Sequence, residues 1–147
     1  VRLRAQKVAG IANDVPLIEL DDPDGLGGAD LLVLGWGSTY GAIQAASLAV
    51  RSTGQRVASA HLRYLNPFPR NLGEIVKAYK RVLVPEVNLG QLRKLVRAEF
   101  LVDAVGLNKV DGLPFRRIDV QAAIVTHLEA LGSRNGNGAS RAAEEEL

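Results

Sequence analysis

The chain has 147 residues, 47% hydrophobic and 23% charged, a composition suited to one globular domain around one core. It contains no cysteine, which excludes disulfides, cysteine-bound zinc and cysteine-ligated iron–sulfur clusters within the chain. The net charge of +2 is spread out, and neither Arg93, Lys94 and Arg97 nor Lys77, Lys80 and Arg81 are accompanied by stacking aromatics, so both groups read as solvated helix faces and no nucleic-acid partner is expected.

In chain order, Val1 to Ala12 reads as the end of a linker helix, with Val1, Ala5, Val8 and Ala12 on one face, and Asn13-Asp14 and Pro16 stop it. Leu17 to Leu20 is extended, a short edge strand, and Asp21 to Asp30 is a loop rich in Asp and Gly. Leu31 to Gly35 is continuously apolar, as a strand buried on both faces of a parallel sheet should be. Tyr40, Ile43, Ser47 and Val50 then space out a helix over about 39–53, ended by Gly54. Arg56 to Leu62 is a second strand of the alternation. Asn66-Pro67-Phe68-Pro69 is a stiff connector, because each proline fixes its own φ and restrains its neighbour. Leu72, Ile75, Val76 and Tyr79 mark a helix over 71–80, where Asn71 and Glu74 resemble a capping box.

Arg81 to Glu86 is a third strand, followed by a helix over about 89–102 with Asn88 as its expected N-cap. Residues 103–116 read as irregular, with a short strand near Ala104-Val105. Arg117 to Leu131 is a last helix, with Val120, Ile124, Leu128 and Leu131 on one face and Asp119 suited to the dipole of its first turn. From Gly132 the composition gives nothing to bury, so 132–147 reads as a disordered tail. Residues 15–131 therefore form one α/β domain. Its mostly parallel sheet of about four to five strands carries helices on both faces, a three-layer arrangement.

Ligands and partners of such sheets meet the carboxyl ends of the strands. Trp36, Ser38, Tyr40, Asn66 and Asn88 all fall there and form the candidate interface edge. A lone Trp on that edge suits the centre of an interface. The run Gly35 to Gly41 can offer backbone N–H groups to a phosphate, or its glycines simply permit a tight turn that Ser38 caps. Glu86 is either an acid or an acceptor for loop amides. His61 lacks a partner at metal or catalytic spacing and reads as structural, and Ser38 lacks the nucleophile-elbow pattern. No catalytic, cofactor-binding or metal-binding residue is assigned.

Four blocks in order resemble one family. Leu32 to Gly41 (LVLGWGSTYG) is similar to the first strand and turn of the second domain of the alpha subunit in 2-oxoacid:ferredoxin oxidoreductases. Leu65 to Pro69 (LNPFP) resembles that family's connector, Val84 to Leu92 (VPEVNLGQL) its next block, and Asn108 to Phe115 (NKVDGLPF) its closing segment. The last two favour the 2-oxoglutarate enzyme over the pyruvate enzyme.

The resemblance implies a transketolase C-terminal-domain-like fold and a holoenzyme that decarboxylates a 2-oxoacid on thiamine diphosphate with Mg. The holoenzyme passes electrons through a [4Fe–4S] cluster to ferredoxin and forms an acyl-CoA from coenzyme A. The diphosphate-binding domain and the cluster belong to the family's beta subunit, and the pyrimidine-binding domain precedes this segment in the alpha subunit. The chain is thus expected to be inactive alone and to hold no cofactor. Its expected partners are the rest of the alpha subunit and the beta subunit, and its place the cytoplasm, with no membrane contact. The absence of Met fits a fragment of a longer polypeptide. The alternatives are a free-standing small-molecule or nucleotide-binding α/β domain and a protein-interaction module.

Overall fold

A computed structural model of the chain describes residues 14–87, 90–109 and 113–145, the side chains of 133–145 excepted. The linker helix expected over Val1 to Ala12 and the cap expected at Asn88 lie outside these residues. Five strands form one sheet: β1 (Leu20–Asp21), β2 (Leu31–Trp36), β3 (Ala58–Leu62), β4 (Arg81–Glu86) and β5 (Ala104–Asn108). The helices are α1 (Tyr40–Ser52), entered through a 3₁₀ turn over Gly37–Thr39, α2 (Leu72–Lys77), α3 (Gln91–Phe100) and α4 (Arg117–Glu145).

The strand order is β1-β3-β2-β4-β5, with β1 antiparallel to β3 and the other pairs parallel. From central β2 the chain passes through α1 to β3. It then crosses back through α2 to β4 on the other side of β2, and continues through α3 to β5. The reversal places a switch point between the carboxyl ends of β2 and β4, where α/β sheets leave a crevice.

The uninterrupted apolar run of β2 follows from burial on both faces. Leu31 and Val33 join Ile43, Val50, Val120 and Ile124 under α1 and α4. Leu32 and Leu34 join Leu72, Val76, Leu92 and Val96 under α2 and α3. The neighbouring strand repeats the alternation, with Leu83 in the first layer and Val82 and Val84 in the second. An added Cβ at Gly35 would meet the end of the Ile43 side chain of α1 and come within 2.9 Å of Thr39 Oγ1, so a larger residue there would force both side chains to shift. The bareness of Gly35 lets the first turn of α1 close onto the strand.

Several elements differ from expectation. The short strand expected near Ala104-Val105 is present and runs on to Asn108 as β5. The interior glycine that weakens its strand signal, Gly106, lies under the Arg93 side chain, and an added Cβ would come within 3.3 Å of Arg93 Cδ. Asn71 is the N-cap residue of α2 but makes no capping bond. Its Nδ2 instead donates to Ile18 O and its Oδ1 accepts from Ile18 N, both at 2.9 Å. One side chain therefore clasps both backbone groups of the segment leading into β1. Helix α2 is also shorter than its periodicity suggests, since Tyr79 lies beyond it and donates its hydroxyl to Asp22 at 2.7 Å. Asp22 also accepts from Asp24 N and Ala29 N, which orders the loop before β2.

The backbone of α4 is helical through Glu145, past Leu131 where the periodicity ends and across most of the segment read as a disordered tail. That segment has no proline to stop a helix, and its Ala, Arg and Glu residues favour one. Gly132, Gly136 and Gly138 each oppose it by about 1 kcal/mol. Described burial of α4 against the core ends at Leu131.

Substituting Asn71→Ala is expected to cost about 1–3 kcal/mol, because two backbone groups lose their partner together. Amide exchange at Ile18 should accelerate more than exchange in β2. Unchanged protection at Ile18 would show that the clasp does not hold the segment.

Candidate functional site

The switch-point crevice is closed by one carboxylate. Glu86, the last residue of β4, is 1% exposed. Its Oε1 accepts from Trp36 Nε1 at 3.0 Å and from Leu92 N at 2.7 Å, and its Oε2 accepts from Arg93 N at 3.3 Å. Leu92 and Arg93 are the second and third residues of α3, whose amides have no partner inside the helix. The N-cap residue itself, Gly90, sits at φ +82° and offers no side chain. A carboxylate from the preceding strand therefore does the work of a cap, with the helix dipole in its favour. Burying it is tolerable because three donors converge on it.

The expected edge residues divide between the two faces of the sheet. Trp36 is half-buried, packs on the α2 and α3 layer and gives its indole N–H to Glu86. Ser38 is exposed in the 3₁₀ turn and makes no capping bond, while Thr39 Oγ1 donates to Trp36 O at 3.0 Å. Tyr40 opens α1 on the other face, 50% exposed, and meets His61 edge-on with ring centroids 5.1 Å apart. Asn66 is exposed in the connector after β3, and Asn88 lies outside the described residues. Glu86 is the residue absent from the expected edge, although binding of loop amides is one of the roles the sequence allows it.

No group of three His, Asp or Glu side chains that could hold a metal ion occurs among the described residues. The cysteine-free donor set does not fit an iron–sulfur cluster. At the crevice, the leading amides of α3 that would suit a diphosphate are taken by Glu86.

The two histidines are both held neutral. Burial, followed by the charge of Arg63, lowers His61 from its ordinary value of 6.5, against a smaller opposing effect of the Gly37 backbone. Burial, followed by Arg81, lowers His127, and Asp103 acts the other way. Arg81 Nη1 lies 3.2 Å from His127 Nδ1, and since Arg can only donate, that nitrogen accepts.

The family model for pyruvate:ferredoxin oxidoreductase core domain II matches residues 29–122. The chain is 52% identical over 115 residues to 2-oxoglutarate oxidoreductase subunit KorA of Mycobacterium tuberculosis, covering 78% of this chain and 17% of that protein. It is 33% identical over 104 residues to the alpha subunit of 2-oxoacid:ferredoxin oxidoreductase 2 of Aeropyrum pernix, covering 69% and 16%.

Among solved structures, 2-oxoglutarate:ferredoxin oxidoreductase from Magnetococcus marinus, with 2-oxoglutarate, coenzyme A and succinyl-CoA bound, aligns with a TM-score of 0.73 at 27% identity. The alignment covers 80% of this chain and 21% of that one. A split-gene transketolase in an inactive tetramer aligns with a TM-score of 0.53 at 19% identity, over 66% and 37%, which supports the fold alone.

Two measurements test the site. Glu86→Ala strands three donors and is expected to cost about 3 kcal/mol or more, whereas Glu86→Gln keeps one acceptor and should cost less. Equal urea midpoints for the two variants would contradict the capping role. For the histidines, the folded state binds fewer protons than the unfolded state below pH 6.5. Their contribution is therefore complete above that value and is lost as pH falls through it. The urea midpoint should drop between pH 7 and pH 5, and a His61→Gln/His127→Gln double variant should flatten the slope. An unaltered slope would assign the drop to other groups.

With its family model spanning residues 29–122 and its relatives in agreement, the chain belongs to the pyruvate:ferredoxin oxidoreductase core domain II family, in the branch of 2-oxoacid:ferredoxin oxidoreductase alpha subunits.

Proposed function

We propose that the chain is the structural, assembly-forming second domain of the alpha subunit of a 2-oxoglutarate:ferredoxin oxidoreductase. It works within a larger enzyme that decarboxylates the 2-oxoacid oxidatively to an acyl-CoA and reduces ferredoxin. The observation that carries this reading is the closed crevice. The position where a parallel α/β sheet ordinarily receives a ligand is filled by the chain's own Trp36, Glu86 and α3. What is left at the carboxyl edge is surface for contact, at Ser38, Tyr40 and Asn66.

Thiamine diphosphate, Mg and the [4Fe–4S] cluster belong, on this proposal, to other parts of the enzyme; in support, the chain has no cysteine and no metal-holding group of acidic or His side chains occurs among the described residues. Such cofactors supply the chemistry, and the surrounding protein supplies position. The preference for 2-oxoglutarate over pyruvate rests on the 52% identity to the mycobacterial subunit. The unit that folds is proposed as residues 15–131. The cytoplasm is the proposed compartment; no helix among the described residues is long and apolar enough to cross a membrane.

The test is assembly. Tyr40 is half exposed, so Tyr40→Ala in the alpha subunit should leave thermal unfolding within a few degrees of the parent. It should weaken co-purification with the beta subunit, by about 2 kcal/mol if Tyr40 is an anchor. Trp36→Ala should reduce both, because Trp36 also serves the fold through Glu86. Unimpaired assembly of both variants, with full 2-oxoglutarate-dependent ferredoxin reduction, would rule this edge out as the contact surface.

A further inference from the structure

The two edges of the sheet are built differently. β1, at one edge, is two residues long and offers little for a further strand to pair with. β5, at the other, has five residues, with no charge and no proline to discourage pairing. It meets β4 through every second residue: Asp103 O accepts from Val82 N and Lys109 N donates to Glu86 O, both at 2.9 Å. The alternation turns the C=O of Ala104, the N–H and C=O of Gly106 and the N–H of Asn108 away from β4. No partner meets them among the described residues.

Beside this open edge runs a basic stripe of α3. The Arg93 side chain lies over Gly106, where an added Cβ would come within 3.3 Å of its Cδ. Its Nε is buried and makes no hydrogen bond. A guanidinium that only kept other strands away would stand in water, whereas this one is laid along the strand with its Nε unbonded. Arg97 follows one turn on, exposed and on the same side of the helix. Neither arginine makes an ion pair among the described residues. Glu99, the one carboxylate of α3, projects from another side of the helix.

We propose that the β5 edge receives an extended acidic segment of a neighbouring protein chain, added to the sheet as a further strand. Arg93 and Arg97 are separated by about 6 Å of helix rise. Two residues of a strand advance by about 6.6 Å. Carboxylates at alternate positions of the incoming strand, which share one face, therefore meet both guanidiniums. The free backbone groups of Gly106 and Asn108 supply the ladder, and the two charges select the partner. This edge lies across the sheet from Tyr40. It rests on its own observations, whether or not Tyr40 is an assembly contact.

The probes are three acetylated pentapeptide amides, Thr-Glu-Val-Glu-Thr, Thr-Lys-Val-Lys-Thr and Thr-Val-Glu-Glu-Thr, titrated into the isotopically labelled 147-residue chain. The first should saturate and should slow amide exchange at Gly106 and Asn108. Exchange at Val105 and Leu107, whose amides face β4, should stay as it was. The second carries the wrong charge, and the third puts its carboxylates on opposite faces, so each should bind at least about tenfold more weakly. An Arg93→Gln/Arg97→Gln double variant keeps the Arg93 amide on Glu86 and should weaken the first peptide about tenfold without lowering the urea midpoint. No saturation by the first peptide below about 10 mM would overturn the proposal, as would equal binding of either other peptide. Saturation without slower exchange at Gly106 and Asn108 would mean a surface ion pair only, and would overturn strand addition as well.

Discussion

A carboxylate with 1% exposure is costly unless every lone pair facing the protein is answered, and Glu86 meets that condition through groups from two other elements. The indole of Trp36 comes from the end of β2, and the amides of Leu92 and Arg93 from the first turn of α3. The register makes the meeting possible. β2 and β4 pair in parallel from Leu31↔Arg81 to Val33↔Leu83, and the same offset of 50 residues carries on to Trp36 and Glu86. Three parts of the chain are thereby tied at the point where the sheet would otherwise open. The local signs agree: a negative charge at a helix N-terminus, a donor-only indole beside an acceptor, and a glycine, Gly90, where the backbone turns left-handed.

Most of the architecture was legible in the sequence because it rests on periodicity. The apolar runs at 31–35 and 81–86, and the 3.6-residue spacing of Ile43, Ser47 and Val50, follow directly from burial on two faces. What was not legible depends on contacts distant in sequence. Asn71 and Glu74 have the spacing of a capping box, yet the amide of Asn71 is spent on Ile18, 53 residues away. Gly106 hides the length of β5 beyond Ala104-Val105, because a glycine inside a strand lowers its signal, and the Arg93 side chain over it lies on another element. The end of α4 has no local stop signal except glycines, which lower helix stability without setting a boundary.

The edge was only partly legible for a related reason. Trp36, Ser38, Tyr40 and Asn66 sit where strand ends were expected, but sequence order does not say which face each occupies. The structure puts Trp36 with α2 and α3 and Tyr40 with His61 under α1. Glu86 was visible as a polar residue ending an apolar strand. Its partner became evident only with the knowledge that β4 lies beside β2, since two helices and a strand separate them in the chain. Family resemblance at 32–41, 65–69, 84–92 and 108–115 carried the identification further than physical pattern alone. Two of those blocks begin inside strands, at Leu32 in β2 and Val84 in β4, and run past the strand ends, where periodicity is silent.

The central position of β2 has a kinetic consequence. β2, α1 and β3 are contiguous over 31–62, and their parallel pairing from Leu32↔Ala58 to Trp36↔Leu62 closes a short loop. β4, α3 and β5 close a comparable loop, pairing Val82 with Ala104 across 22 residues against 26 for Leu32 and Ala58, so both units are expected to form locally before β2 and β4 meet across 50 residues. β4 has to travel back across the first unit to reach the opposite edge of β2; the bonds from Leu92 and Arg93 to Glu86 are local to the second unit, whereas the Trp36 bond spans 50 residues and waits for that meeting. The Trp36–Glu86 bond is therefore expected to form after the rate-limiting barrier, so it governs how long the domain stays folded more than how fast it folds.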